Sequence, residues 1–534
     1  MTGIVVSRRS STISYPGWIV ALSLLVAVLA SPYIPIVGSV VTGSGSTWDH
    51  LRATVLGGYV LNTVLLLAGS VIGALVIGLV TAWVLALYEF PGRRLMEVLV
   101  LLPLALPVYI AAFTWSGIVG YAGSLHRMIG IYLPFSGIPA AWFVFSFGLF
   151  PYVYLAVRAA LSTGSKRYFE AAASLSGSTR RDHLRAVLRG VVPSLRPASV
   201  AGASLVAMEV LGAYATPVYF GIETLSTGVY RTWFGLGDLP AAMRLALVSM
   251  GLVFLLLGVE RSQRGRRSFS SVPAGPIARR PLRGLAAAGA TSGILASTIL
   301  GFLVPTVQLV WWTPAGLRSG APTDLLSTIL RTAGLAGGAT LITVSVAVVF
   351  AFSIYLFGSG ITRYAVALAS SGYAIPGTVV AIGVLAVFQR LRALDGRIFL
   401  FGTVGGLLFA YAVRYLAVAL HQVSAVLEGQ RKPLLDAARS LGDTPGRALR
   451  RVAIPVFRPA MIAAAVLVTV DVVKDIPITI LLRPFDFTTL AITTWALAGD
   501  ERIHEAAPYA LVLVTAGVAA ILLIARIGDR RARS

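Results

Sequence analysis

Apolar runs long enough to cross a lipid bilayer recur along nearly the whole of this 534-residue chain. A spanning helix needs about 20 consecutive, mainly apolar residues. Hydropathy predicts twelve, near 18–38, 57–88, 95–119, 139–161, 197–218, 241–259, 284–311, 325–357, 364–388, 399–425, 460–482 and 507–526. The expected fold class is therefore all-α, a polytopic membrane protein of about 12 transmembrane helices. With 57% hydrophobic and 12% charged residues and a mean hydropathy of +0.84, no room is left for a large soluble domain, and an enzyme domain is not expected.

The formal charge of +23 would suggest nucleic acid as the partner of a soluble protein. Here the arginines cluster in short segments between apolar runs, the pattern of cytoplasmic membrane loops, so the partner is the lipid bilayer and no nucleic acid is expected. The most basic stretches are "RSQRGRRSFSSVPAGPIARRPLRG" (261–284), the loops 166–195 and 432–458, and the tail "RIGDRRARS". With twelve spans all four lie on one side, which puts both termini in the cytoplasm. One basic loop, "QRLRALDGR" (389–397), falls on the other side. Arg8 and Arg9 precede the run from Trp18 to Val37. That run is read as an uncleaved anchor, although Val28-Leu29-Ala30 resembles a signal-peptide cleavage site. The absence of cysteine excludes disulfides, thiolate metal sites and thiol catalysis.

The spans divide six and six around the Arg-, Ser-, Pro- and Gly-rich linker 261–283, giving a first half 1–260 and a second half 284–534. The halves are related by sequence. Pro193 and Pro455, Arg196 and Arg458, Pro197 and Pro459, Thr227 and Thr489, and Trp233 and Trp495 are all separated by 262. An even number of spans in each half makes these parallel repeats, related by a pseudo-two-fold axis along the membrane normal.

Each half carries one long basic loop after its fourth span. Glu170-Ala171-Ala172 and Asp436-Ala437-Ala438 are built on strong helix formers. Gly177 and Gly442 end these first turns. New caps follow: Thr179 with Asp182 resembles a capping box, and Asp443-Thr444-Pro445 offers a cap with proline in the first helical turn. In the first copy Leu184, Val187, Leu188 and Val191 form an apolar stripe opposite Arg181, Arg185 and Arg189, which predicts a helix lying on a surface. One such loop alone is also consistent with a basic segment resting on lipid headgroups. Two copies opening on small side chains imply a symmetric partner.

The pattern of an acidic residue, Ala-Ala, a Gly a few residues on and a Pro near the loop's end resembles the EAA signature of binding-protein-dependent ABC importer permeases. The match is close in the second copy, through Asp436-Ala437-Ala438, Gly442 and Ile454-Pro455. The first copy runs 23 residues from Glu170 to Pro193, against 19 from Asp436 to Pro455, an excess of about one helical turn. The resemblance implies that Glu170, Ala171, Ala172 and Gly177, with Asp436, Ala437, Ala438 and Gly442, couple the chain to two copies of a cytoplasmic ABC ATPase. It further implies an extracytoplasmic substrate-binding protein, alternating access and a place in the inner membrane. "LLPLALPVYIAAFTWSGIVG" (101–120), "YFGIETLSTGVYRTWFGLGDLPAA" (219–242), "YAIPGTVVAIGVL" (373–385) and "KDIPITILLRPFDFTTLAITTW" (474–495) resemble fused two-half permeases for ferric iron, over nearly the whole chain. Related permeases for thiamine and aminophosphonates share several of these stretches. No G-x-x-x-x-G-K-[ST] phosphate loop occurs, so ATP belongs to a partner and no cofactor is expected in this chain.

Independently of any family, charge inside a membrane costs at least ~2.5 kcal/mol per group at mid-bilayer and so faces a protein interior or a water path. Glu209 and Asp471 lie in the fifth and eleventh spans, again 262 apart, and each stands about twelve residues beyond an Arg-Pro pair, roughly 18 Å along a helix. They are placed to face each other across the axis and to line a path for a multivalent cation. Lys474 and Asp475 join them as path residues, and can equally satisfy Asp471 within its own helix. Gly69 and Gly73 form a G-x-x-x-G suited to close helix packing, and Pro107, Pro151, Pro376 and Pro477 are expected to break or kink spans. The five histidines show no i, i+4 pairing, so neither a catalytic nor a structural metal site is expected. The rival from another class is a secondary carrier of six plus six spans. Its basic motif would lie between the second and third spans, where "YEFPGRR" is meagre.

Overall fold

The computed structural model describes residues 16–41, 45–121, 123–163, 180–264, 279–319, 324–357, 360–370, 372, 374–397, 400–428, 437–438 and 440–533. Among them ten helices are long and apolar enough to cross a membrane. The two remaining segments of the expected twelve are the shorter apolar helix Gly17–Ala30 and the fifth, which ends a helix running from Arg180 to Gly212.

The helices of the first half include α1 (Pro16–Ala30), α2 (Tyr33–Gly38), α3 (Leu56–Leu87), α4 (Val108–Val119), α5 (Gly137–Thr163), α6 (Arg180–Gly212), α7 (Ala215–Tyr219), α8 (Leu225–Leu236) and α9 (Leu239–Arg264). The second half holds α10 (Gly284–Thr298), α11 (Val304–Arg318), α12 (Leu325–Phe357), α13 (Gly360–Ala369), α14 (Gly377–Leu394), α15 (Val404–Glu428), α16 (Ile454–Val473), α17 (Pro477–Leu482), α18 (Leu490–Gly499) and α19 (Ile503–Arg533). The trio α3, α5 and α6 packs together as α12, α15 and α16 do.

Several predicted spans are interrupted. The third, expected over 95–119, is built from a short helix Arg93–Leu99, a 3-10 turn Leu102–Ala105 and α4, and the ninth, expected over 364–388, is divided between α13 and α14. Pro107 and Pro376, 269 residues apart, each precede a helix as its N-cap with φ near −55° and −52°. Lacking an N–H and fixed in φ, proline starts a helix well and continues one poorly. Pro477 likewise opens α17, whereas Pro151 sits inside an unbroken α5. The surface helix expected over Leu184–Val191 is not separate from its span, because α6 runs on through Pro193 and Pro197. In the second copy a π-helical turn, Leu449–Ala453, leads into α16, whose second residue is Pro455. The widened turn absorbs the donor that proline lacks.

The repeat register also shifts. Thr224 and Thr489 are the N-caps of α8 and α18, and the amides of Leu225 and Leu490 donate to the hydroxyls of Thr63 (3.0 Å) and Thr332 (2.9 Å). The structural offset here is thus 265, because the second copy takes three more residues between the start of α17 and α18. Thr489 and Trp495 correspond to Thr224 and Tyr230, and the 262 spacing of Thr227 and Trp233 does not carry into the fold.

Two hydrophobic cores form, and they exchange their first and last spans, α8 and α9 lying in one and α18 and α19 in the other. Leu22, Leu29 and Ile36 lie in one core with α12, α14, α15 and α16, and Trp18 Nε1 donates to Ser353 Oγ at 3.0 Å. Phe302, Leu309 and Trp312 lie in the other with α3, α5 and α6, and Trp115 Nε1 donates to the carbonyl of Leu300 at 3.2 Å. At the far end of the linker β2 (Arg280–Pro281) pairs in parallel with β1 (Tyr88–Glu89), and Arg279 reaches Glu89 at 3.7 Å.

Close approach of α3 and α5 depends on glycine. A Cβ on Gly69 would come within 2.2 Å of the Trp142 indole, and one on Gly73 within 2.1 Å of Ser146 Oγ. Gly73→Val should therefore destabilise the protein by about 1–3 kcal/mol through overpacking. Gly251→Val, where nothing lies within 4 Å, should leave thermal denaturation in detergent unchanged.

Candidate functional site

The helix interruptions converge on one cavity of about 130 Å³. Pro103 and Pro107 come from the break before α4, Gly212 and Tyr214 from that between α6 and α7, and Ile476 and Pro477 from that between α16 and α17. Into this space project Tyr152, Glu209, Arg414, Tyr415, Asp471, Lys474 and Asp475. The structure thus brings all four path candidates together, with Glu209 and Asp471 lining the same cavity from the two halves.

Their partners differ. Asp475 is buried and its carboxylate is committed to the start of α17: Oδ1 accepts from the amides of Ile478 (3.0 Å) and Thr479 (3.2 Å), and Oδ2 accepts from the Tyr415 hydroxyl at 3.0 Å. An anion at a helix N-terminus satisfies orphan amides and meets the positive end of the dipole. Asp471 Oδ1 lies 2.9 Å from Lys474 Nζ, the i+3 pair expected, while its backbone carbonyl accepts from Tyr415. Glu209 is different. The Tyr152 hydroxyl stands 3.5 Å from its Oε1, and among the described residues no basic nitrogen lies within 4 Å. Three carboxylates face two cations, so the cavity as a whole favours positive charge.

Arg414 was not singled out from the sequence, although it lies in an apolar run, and the rule that selected Glu209 and Asp471 would have found it. Its guanidinium donates to the Ile375 carbonyl at 2.6 Å, just ahead of Pro376, and lies 5.7 Å from the Tyr415 ring centre. A Cβ on Gly212 would stand 3.4 Å from it, so the glycine leaves the space it fills. Tyr152 and Tyr415 carry no signal in a single sequence. Among the described residues no group of three or more acidic or histidine side chains is arranged to hold a metal ion.

Over the cavity, Tyr214 is flanked by Tyr230 at 4.8 Å and by Trp495 at 5.7 Å between ring centres, the two repeat-equivalent positions of α8 and α18. Beyond them lies a space of about 640 Å³, lined by Tyr121, Tyr219, Trp495 and Glu501 among others.

Of the proposed coupling residues, Glu170, Ala171, Ala172, Gly177 and Asp436 lie outside the described residues. Ala438 is buried, Ala437 exposed, and Gly442 takes φ +86° while the amide of Asp443 reaches back to the carbonyl of Ala438 at 3.2 Å. This is the left-handed helix ending that the glycine predicts. A short helix then begins at Pro445.

The chain is similar along its length to an Fe(3+)-transport system permease protein of Haemophilus influenzae, 26% identical over 518 residues, which cover 95% of this chain and 98% of that one. It is 25% identical over 504 residues to a probable ABC transporter permease protein of Sinorhizobium fredii, across 88% of this chain and 86% of the relative. Over 206 residues, 36% of this chain, it is 32% identical to a sulfate transport system permease protein of Salmonella typhimurium and spans 72% of that protein. The chain belongs to the permeases of ABC transporters. No family model matches it. The permease is a multi-pass inner-membrane protein, and its membership implies ATPase and substrate-binding partners in general.

The network around Asp475 makes its first role in the permease structural. Asp475→Ala removes the acceptor of the Ile478 and Thr479 amides and leaves buried donors unpaired, which should cost about 1–3 kcal/mol. The melting temperature in detergent should fall accordingly, with or without transport substrate.

Proposed function

We propose that the permease carries ferric iron across the inner membrane, from an extracytoplasmic binding protein to the cytoplasm, by alternating access. The observation that carries this reading is the similarity to the Haemophilus influenzae Fe(3+)-transport permease across both halves of the chain. The excess of carboxylate over base in the cavity supports it, since hard oxygen donors suit a trivalent cation. Glu209 and Asp471 line the path and lower the barrier to charge in the membrane. Release must be easy, so the path is not a tight ligand cage.

Energy comes from two copies of a cytoplasmic ATPase docked on the segments 166–195 and 432–458 of halves 1–260 and 284–534, with both termini on the same side. The missing phosphate loop supports the view that ATP is bound by the partner and that this chain is not itself an ATPase. The buried Ala438 and the left-handed Gly442 support a preformed turn for docking. A second reading, an oxyanion cargo, has support from Arg414 and Lys474 in the cavity and from the sulfate and 2-aminoethylphosphonate permeases among the relatives.

Uptake into vesicles holding permease, ATPase and loaded binding protein, with ferric iron, sulfate, an aminophosphonate and thiamine in competition, tests the cargo. Ferric uptake that the others do not suppress is expected. Sulfate or aminophosphonate uptake in its place means an anion path. Glu209→Gln should lower ferric uptake about tenfold, a barrier change near 1.4 kcal/mol. Recovery of the assembled complex should be unchanged. Glu170→Arg together with Asp436→Arg should abolish co-purification of the ATPase while the melting temperature of the permease holds.

A further inference from the structure

The duplication supplies one acidic position twice and its counter-ion once. Three residues after Asp471 stands Lys474; three residues after Glu209 stands Gly212, the same 262 apart. Lys474 Nζ accordingly sits 2.9 Å from Asp471 Oδ1, while the room left by Gly212 is taken by Arg414 from the other half. Lys474 is also the C-cap of α16, where the carbonyl end of the helix favours a cation. Its side chain is 29% exposed and lines two spaces, the carboxylate cavity and a neighbouring crevice of about 320 Å³ walled by Val466, Thr469, Val473 and Gly517. That crevice is walled almost wholly by apolar side chains and offers the ammonium no charged partner, so a Lys474 released from Asp471 keeps to the carboxylate cavity.

We propose that Lys474 is a tethered competitor for the cargo: it holds Asp471 when the cavity is empty, yields that carboxylate to an arriving cation, and takes it back as the cation leaves. This rests on the reading of a cationic cargo. The paired empty state avoids a bare carboxylate in the membrane. A tethered group acts at high effective concentration, so the arriving ion never gains the full attraction of both acidic positions. Binding is weakened and exit is eased, which turnover requires. Gly212 leaves Glu209 without a competitor on its own helix, and the Arg414 guanidinium beside it is committed to the Ile375 carbonyl, so the two acidic positions take different parts: Glu209 is the standing contact and Asp471 the switched one.

Terbium(III), a trivalent ion with a preference for oxygen donors whose luminescence nearby tyrosines sensitise, reads the competition directly on purified full-length permease in detergent. Lys474→Met should tighten terbium binding on the order of tenfold, the size of a typical coupling between two sites. Lys474→Arg, a stronger and bidentate partner for Asp471, should weaken it severalfold. Asp471→Asn combined with Lys474→Met should remove the gain. Affinities unchanged in both single variants overturn the proposal, as does weaker binding in Lys474→Met or an undiminished gain in the double variant. Should Lys474→Met fail to assemble, the Arg variant decides by itself, unchanged affinity counting against the proposal. Ferric uptake by wild-type vesicles reports on the cargo reading separately.

Discussion

Interrupting a helix inside hydrocarbon leaves carbonyls and amides without partners, and each such group costs several kcal/mol. The permease breaks its third, fifth, ninth and eleventh spans, and the polar residues there meet that demand. Asp475 receives the first amides of α17, Arg414 donates to the carbonyl of Ile375 ahead of Pro376, and the Ser226 hydroxyl donates at 2.8 Å to Leu211 near the end of α6. Charges that look like substrate ligands in the sequence are in part the means by which the backbone turns at that depth. Glu209 and Asp471 are the carboxylates left for the proposed cargo, because no helix-end amide claims their side chains.

The two halves solve this requirement with different chemistry on one plan. The threonine pair Thr63 and Thr332 has the same office in each, donating to the carbonyls of Tyr59 and Thr328 while accepting from the amide that opens a short helix. At the cavity the plan diverges, with Arg414, Tyr415 and Lys474 all supplied by the second half. The two halves therefore meet at a site that is not symmetric, as suits a path in which the two acidic positions act at different moments.

Much of this was legible in the sequence. Long apolar runs and arginine-rich loops give twelve spans, and the 262 spacing places Glu209 and Asp471 on matching helices because few insertions separate the copies there. The interruption at Pro107 was anticipated from proline itself, yet 95–119 still read as one span, since hydropathy responds to composition and not to backbone continuity. Thr227 and Trp233 misled for a related reason: identical residues at a fixed spacing outweighed a three-residue insertion that only helix caps reveal. Arg414 escaped notice inside an otherwise apolar run, and Tyr152 and Tyr415 resemble any buried aromatic. The exchange of first and last spans leaves no trace in a linear pattern, because it is a property of which apolar faces meet.

That exchange governs how the protein is made. A ribosome delivers α1 long before the helices that cover it, so Leu22 and Ile36 wait in lipid until α14 and α15 arrive. The first half in turn stays unfinished until Trp312 of α11 and then Leu513 of α19 emerge beyond the linker. Synthesis as one polypeptide keeps the two unfinished bundles within reach of each other, and a split gene would have to express both products together for either to mature.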